Sequence, residues 1–135
     1  MYLGSNLISW NSRKQPTISR SRTEAEYKSV ANTAAELLWI KSLLRDLGVQ
    51  LSTPLKLWCD NIGATYLFAN LVFHGRTKYV EIYFHFVRER VANNTIQVLF
   101  IPSKEQIGDV LTKPIISTRF QWFCYKINVH ESPLN

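Results

Sequence analysis

Residues 23–48 read TEAEYKSVANTAAELLWIKSLLRDLG, and this stretch predicts the main helix of the fold. Apolar residues recur in it at the spacing of one helix face, from Tyr27 to Leu44. Two capping-box patterns, beginning at Ser21 and Thr23, mark its start. Gly48 is placed to end it as a C-terminal cap. We therefore expect a helix over Thr23–Asp46 with one buried face.

Strand and helix patterns alternate on either side of that helix. The predicted elements are a hairpin (a strand over Tyr2–Trp10, a basic turn over 11–16 and an extended segment to Ser19), a strand over Leu55–Cys59, helices over Ile62–Ala69 and Thr77–Ala92, a strand over Ile96–Ile101, and a short helix that opens with a capping box at Ser103 and stops before Pro114. This order predicts an α/β (α+β) layered domain over residues 1–114. Residues 115–135 are expected to form a C-terminal tail, with room for one more helix.

Composition narrows the class of protein. The chain has 135 residues, 46% hydrophobic and 19% charged, which is typical of one globular domain. Its 16 Lys and Arg against 10 Asp and Glu leave a formal charge of +6, which favours a polyanionic partner, nucleic acid before membrane. Two cysteines and three scattered histidines exclude a disulfide framework and a His/Cys metal cluster. With no apolar run long enough for a membrane span and no signal-peptide pattern, we expect an intracellular protein, cytoplasmic or nuclear and not secreted.

Three acidic residues occupy positions that suit ligand or metal binding. Asp60 directly follows a predicted strand, where α/β domains place ligands, although taken alone the position favours a cap of the next helix by Asp60 or Asn61. Glu26 lies on the sheet-facing side of its helix and needs a partner or a metal there, unless it is simply part of the capping box. Glu24, on the opposite side, is expected to be solvated. Periodicity alone predicts that Asp109 is an exposed acid favoured by the helix dipole.

Together these acids form a set of carboxylates at the ends of three separate elements in a basic protein. Oxygen ligands of this kind suit Mg²⁺. Two such ions about 4 Å apart support in-line phosphodiester hydrolysis. The set therefore suggests metal-dependent hydrolysis of nucleic acid.

Several blocks along the chain are distinctive. They are LISWNSRKQPTISRS (7–21), TEAEY (23–27), LWCDN (57–61), RTK (76–78) with Val80-Glu81, FHFVRE (84–89) and QIGDVLTKP (106–114). In this order they resemble the C-terminal ribonuclease H domain of copia-type retrotransposon (retrovirus-related) Pol polyproteins. The resemblance implies a ribonuclease H-like mixed sheet of about five strands flanked by helices.

The resemblance also implies an activity and a site. The family cuts the RNA strand of RNA–DNA hybrids, with two Mg²⁺ ions held by four carboxylates. Matched motif by motif, three catalytic and metal-binding carboxylates fall on Glu26, Asp60 and Asp109. The implied partners are an RNA–DNA hybrid or other nucleic acid and the reverse transcriptase portion of the parent polyprotein.

The family's fourth carboxylate lies on a first strand that precedes the segment matching Met1. We therefore expect an N-terminally truncated domain that lacks this strand and is a weak or inactive nuclease. Tyr79, Tyr83 and Gly108 are smaller departures from the family pattern. Two alternatives stay open: a non-catalytic nucleic-acid-binding module, and a retroelement remnant without function.

Basic and aromatic residues complete the predictions. The candidate phosphate contacts are Arg13, Lys14, Arg20, Arg22, Arg76 and Lys78, with a solvated turn as the alternative for the first four. Trp10, Trp39 and Trp58 are predicted to be core residues, and His85 a surface partner of the glutamates one turn away. The tail interleaves Trp122 and other aromatic residues with Arg119 and Lys126, a pattern that suits base stacking or packing on the domain.

Overall fold

The computed structural model describes residues 1–12, 22–69 and 78–129, and the chain divides into two compact units. The central unit is Gln15–Pro102, and the terminal unit combines Met1–Lys14 with Ser103–Asn135. In chain order the elements are β1 (Tyr2–Leu3), β2 (Asn6–Leu7), α1 (Arg22–Asp46), β3 (Leu55–Cys59), α2 (Ile62–Ala69), α3 (Lys78–Ala92), β4 (Ile96–Phe100), 3-10 turns at Ser103–Glu105 and Ile107–Leu111, and α4 (Ser117–Lys126). From α1 to β4 the order matches the prediction, and α4 lies in the tail segment that had room for one more helix.

Helix α1 ends as the sequence predicts. Gly48 adopts a positive φ of 82°, which glycine reaches without steric cost. The amide of Gly48 donates to the Arg45 carbonyl, and the amide of Val49 donates to the Leu44 carbonyl. These bonds satisfy carbonyls that the helix itself leaves open.

The central unit contains a parallel pair of strands. Strands β3 and β4 pair in register from Leu55 opposite Ile96 to Cys59 opposite Phe100. Helices α2 and α3 form the crossover that a parallel connection requires. Because the strands are parallel, their carboxyl ends lie at the same edge, where the Ile101 amide donates to the Cys59 carbonyl at 3.0 Å.

An aromatic cluster forms the core of this unit. The Tyr27 ring lies edge-on to Phe68, with ring centroids 5.3 Å apart, and Phe68 stacks on Phe84 at 5.8 Å. The buried side chains around the cluster come from α1, both strands, α2 and α3: Val30, Ala31, Ala34, Leu57, Cys59, Ala64, Val87 and Ile96. One face of each helix and one face of the sheet therefore meet in a single core.

The tryptophans are not part of that core, and the sequence-based prediction was wrong for all three. Trp39 is 66% exposed on α1, and Trp58 is 53% exposed on β3. Side chains alternate along a strand, so burial of Leu57 and Cys59 turns Trp58 to the opposite face. Trp10, in the terminal unit, is 58% exposed.

Glu24 also differs from its prediction, because it is not solvated. Its side chain is 12% exposed and pairs with Lys28 across one helical turn at 2.8 Å. The Lys28 ammonium lies 5.9 Å from the ring centroid of Tyr83, a residue of α3. Packing of α3 beside the start of α1 therefore covers a surface that helical periodicity alone leaves open.

The terminal unit begins with a short antiparallel hairpin. Tyr2 pairs with Leu7 and Leu3 with Asn6, around a turn at Gly4, where φ is 63°. The predicted strand through Trp10 is thus two short strands with the turn inside it. The predicted basic turn and extended segment lie outside the described residues from position 13 onward.

The helix predicted to open with Ser103 is instead two 3-10 turns. Gln106 separates them with an extended backbone, and its side-chain oxygen accepts from the Gly108 amide at 3.5 Å. The second turn ends before Pro114, as predicted. In α4, Phe123 is completely buried.

The architecture is mixed α/β, in agreement with the predicted fold class. The described residues form two separate two-stranded sheets, one antiparallel and one parallel. The ribonuclease H-like sheet of about five strands remains a prediction. Among the helices of the described ranges, none has the length and apolar character that a membrane crossing requires.

Candidate functional site

Asn61 joins three elements at the carboxyl end of β3. Its side-chain oxygen accepts from the Ala64 amide at 2.8 Å and so caps α2. Its side-chain nitrogen donates to the Glu26 carboxylate of α1. The capping role that the sequence left open between Asp60 and Asn61 thus falls to Asn61.

Glycine at position 63 gives the Asn61 side chain its room. A methyl group built at Gly63 would lie 3.2 Å from the Asn61 side-chain oxygen, which is tighter than ordinary van der Waals contact. A larger residue would displace the same atom that caps α2. Glycine at position 63 therefore leaves the Asn61 side chain undisturbed in its capping position.

Two of the predicted carboxylates lie at this end of the sheet. Glu26 is partly buried and is oriented by Asn61. Asp60 is exposed and directly precedes Asn61. The geometry thus leaves one carboxylate fixed and one open to solvent.

Both carboxylates affect the pKa of the Cys59 thiol. Burial raises the pKa of its thiol above the ordinary value, and the negative charges of Asp60 and Glu26 raise it further. The thiol lies 3.8 Å from the Asn61 carbonyl, and this hydrogen bond acts in the opposite direction. Cys59 is therefore a neutral, buried thiol at physiological pH.

Asp109 belongs to the terminal unit. Its side chain is 19% exposed and pairs with Lys113, one turn later, at 2.9 Å. The prediction of an exposed acid from periodicity was wrong, because Asp109 is partly buried and paired with Lys113. Within the described ranges, no three His, Cys, Asp or Glu side chains are grouped closely enough to hold a metal ion.

The donor set at the end of β3 suits Mg²⁺ in chemical type. Magnesium takes oxygen ligands and is commonly bound by one or two carboxylates together with substrate phosphates. Glu26 and Asp60 supply two carboxylates at one sheet edge, and no thiol or imidazole competes among the described groups there, since Cys59 is neutral and buried. The two carboxylates are therefore of the ligand type that this ion takes.

Most of the predicted phosphate contacts lie outside the described residues: Arg13, Lys14, Arg20 and Arg76. Arg22 and Lys78 begin α1 and α3, and their side chains also lie outside the described part of the chain. His85, in contrast, is on the surface of α3 with Glu81 at 3.7 Å, as predicted.

Sequence reasoning missed Asn61 as the partner of Glu26 and Lys113 as the partner of Asp109. The first pair joins residues 35 positions apart, so no local pattern reveals it. The second was visible in principle, because an acid followed by a lysine four residues later is a common helical ion pair.

Comparison with known proteins relates the chain to transposon proteins. It is 50% identical over 133 residues, 98% of its length, to the Retrovirus-related Pol polyprotein from transposon RE2 and to that from transposon RE1, both of Arabidopsis thaliana. It is 33% identical over 125 residues, 93% of its length, to the Retrovirus-related Pol polyprotein from transposon TNT 1-94 of Nicotiana tabacum. The aligned segment is 9% of each polyprotein.

No family model and no solved structure matches the chain. Its homologues are nevertheless clear, since identity of 50% extends over almost every residue. The chain is homologous to a short segment of retrovirus-related Pol polyproteins.

Proposed function

We propose that this chain is the ribonuclease H segment of a retrotransposon Pol polyprotein, acting on the RNA strand of RNA–DNA hybrids. The observation that carries the proposal is the Asn61–Glu26 hydrogen bond, which holds a helix carboxylate at the sheet end that also carries Asp60. The motif resemblance and the homology to Pol polyproteins support it. The reverse transcriptase portion of such a polyprotein is the natural source of the hybrid.

Each carboxylate has a distinct part in this proposal. Glu26 and Asp60 would hold Mg²⁺ at the end of β3, and the motif match assigns Asp109 as the third carboxylate of the set. The chemistry that bound Mg²⁺ supplies in such sites is stabilisation of the attacking and leaving oxygens. Asn61 keeps Glu26 oriented, and Asp60 stays open to solvent and to substrate phosphates.

The isolated chain of 135 residues is expected to cleave weakly or not at all. The family's site has four carboxylates, and motif matching finds three of them here. Metal affinity rises with the number of charged ligands, so an incomplete set should bind Mg²⁺ loosely.

Metal titration tests the site without depending on turnover. We expect Mn²⁺ or Mg²⁺ binding, measured by calorimetry, to weaken in Glu26→Gln, Asp60→Asn and Asp109→Asn. Glu89→Gln is the matched control, because Glu89 is an exposed acid of α3 that the proposal does not use. Metal binding that is equal in all four variants would remove the nuclease assignment.

Cleavage of a labelled RNA–DNA hybrid by the pure chain tests the expected low nuclease activity. Weak or absent cutting in Mg²⁺ is expected. Strong Mg²⁺-dependent cutting that Asp60→Asn abolishes would contradict the prediction of low activity while supporting the ribonuclease assignment. The charge of +6 favours one other function, a nucleic-acid-binding module without catalysis, which would bind the hybrid but show no carboxylate-dependent metal binding.

A further inference from the structure

The terminal unit contains an open cleft that the proposed nuclease site does not use. It lies between the 3-10 turn at Ser103–Glu105 and α4 and has a volume of about 410 Å³. Its lining residues are Lys104, Glu105, Thr118, Arg119 and Trp122. We propose that this cleft, here called the α4 cleft, binds a base and an adjoining phosphate of single-stranded nucleic acid.

Trp122 is the stacking platform of the α4 cleft. Its side chain is 41% exposed, although the neighbouring Phe123 is completely buried. The two rings meet edge to face with centroids 4.9 Å apart, so the buried ring holds the exposed one in place. A partly exposed tryptophan that is held by a buried ring offers a flat surface on which any base can stack.

Cations lie beside Trp122 and in the α4 cleft. The Lys126 ammonium lies 5.4 Å from the ring centroid of Trp122. Arg119 donates to the Lys104 carbonyl at 2.7 Å, and its guanidinium lies 5.4 Å from the Phe123 ring centroid. These contacts tie Arg119 and the Lys104 backbone together, so the positive charge at the cleft is organised before a ligand arrives. Positive charge beside a stacking ring is the combination that single-stranded nucleic acid requires.

Glu105 favours a nucleic-acid base over a purely anionic ligand in the α4 cleft. A carboxylate in the α4 cleft repels phosphates and acidic peptides alike, so a purely anionic ligand gains nothing from it. It accepts hydrogen bonds from the amino groups of bases, in the way that Glu and Asp recognise cytosine. One acid beside a tryptophan and three cations therefore favours a base with its phosphate over an acidic peptide or a free phosphate.

The experiment measures binding of a short fluorescein-labelled oligodeoxycytidylate by anisotropy, in EDTA so that no cleavage contributes. Trp122→Ala should weaken binding about fivefold or more, as expected when stacking on one base is removed. Trp122→Phe keeps an aromatic ring and should retain most of the affinity. The matched control is Trp39→Ala, which removes an exposed tryptophan from the central unit.

The contribution of charged side chains to oligonucleotide binding is tested with separate variants. Lys126→Gln should weaken binding and lower its salt dependence, whereas Lys56→Gln, an exposed lysine of β3, should do so less. Glu105→Gln should reduce any preference for oligodeoxycytidylate over oligothymidylate, because thymine has no amino group for the carboxylate.

Three results would overturn the proposal. They are equal affinity in Trp122→Ala and Trp39→Ala, no binding of single strands by the unaltered chain, and equal Trp122-dependent binding of polyglutamate. The carboxylates of the nuclease site do not enter these measurements. The α4 cleft and the nuclease assignment can therefore fail independently of each other.

Discussion

Asn61 donates a hydrogen bond to Glu26 from the carboxyl end of β3, 35 residues further along the chain. The same side chain accepts from the Ala64 amide, so one amide group caps α2 and orients a carboxylate of α1. An amide is suited to both tasks because it has a donor and an acceptor on one planar group. A carboxylate at position 61 could perform only the first task.

This dual role makes Asn61→Asp informative. The substitution keeps an acceptor for Ala64 but places a second negative charge against Glu26, and we expect the free energy of unfolding to fall by about 1–3 kcal/mol. In the double variant Asn61→Asp with Glu26→Gln, the amide at position 26 can donate to the carboxylate at position 61. The double variant should therefore lose less stability than the sum of the two single changes. Urea denaturation of the four proteins measures this coupling. Strict additivity would show that the two side chains do not interact.

The ion pair between Glu24 and Lys28 should contribute more to stability than a surface pair of the same spacing. Glu24→Gln is expected to cost about 1–3 kcal/mol, because the Lys28 ammonium is left in a largely buried position. The control is Glu81→Gln, which breaks an exposed pair with His85 and should change stability by less than about 0.5 kcal/mol. Thermal or urea unfolding of both variants compares them. Equal effects would mean that α3 does not cover the start of α1.

The aromatic cluster should be the most sensitive part of the central unit. Phe84 contacts the rings of both Tyr27 and Phe68, and Phe84→Ala is expected to cost about 3–5 kcal/mol through the cavity that it leaves. Ile82→Ala, two residues earlier on the same helix and 67% exposed, should be nearly neutral. Denaturant unfolding checks the pair, and similar reductions in stability at both positions would contradict the assigned face of α3.

Alkaline pH should destabilise the central unit through Cys59. The folded state raises the thiol pKa above its ordinary value of 9.0, so the folded protein holds the proton more tightly than the unfolded chain does. The contribution of this thiol to stability is fully present below its pKa in the unfolded chain. It is lost as pH rises through the higher pKa of the folded state. Cys59→Ala should therefore show a smaller fall in stability above about pH 9 than the unaltered chain. Cys124→Ala serves as the control, and an unchanged slope in Cys59→Ala would contradict the assignment.

The basic residues between positions 13 and 22 should contribute to the salt dependence of hybrid binding. Changing Arg13, Lys14, Arg20 and Arg22 together to Ala should lower the slope of log affinity against log salt by about 0.7–0.9 for each phosphate that the protein no longer neutralises. Arg45→Ala combined with Lys56→Ala removes two exposed cations of the central unit and should have a smaller effect. Binding titrations at several salt concentrations provide the comparison. An unchanged slope in the fourfold variant would exclude this segment from the binding surface.

Local patterns in the sequence determined most of the secondary structure. The ends of α1, β3 and α2 follow from nearby residues, because apolar spacing, a capping glycine and a capping asparagine each act over a few positions. The same holds for the end of α3, where Asn94 takes a φ of 56° and stops the helix. These features need no knowledge of what packs against them.

Only the tertiary structure decided which side chains are covered and which acids have partners. Trp58 is exposed because Leu57 and Cys59 occupy the buried face of β3, which leaves Trp58 on the opposite face. Glu24 is covered because α3 lies beside α1. The bond between Asn61 and Glu26 exists because the packing of α1 against the sheet brings the start of that helix to the end of β3. Such interactions join residues far apart in the chain, so their energies depend on packing that no local spacing encodes.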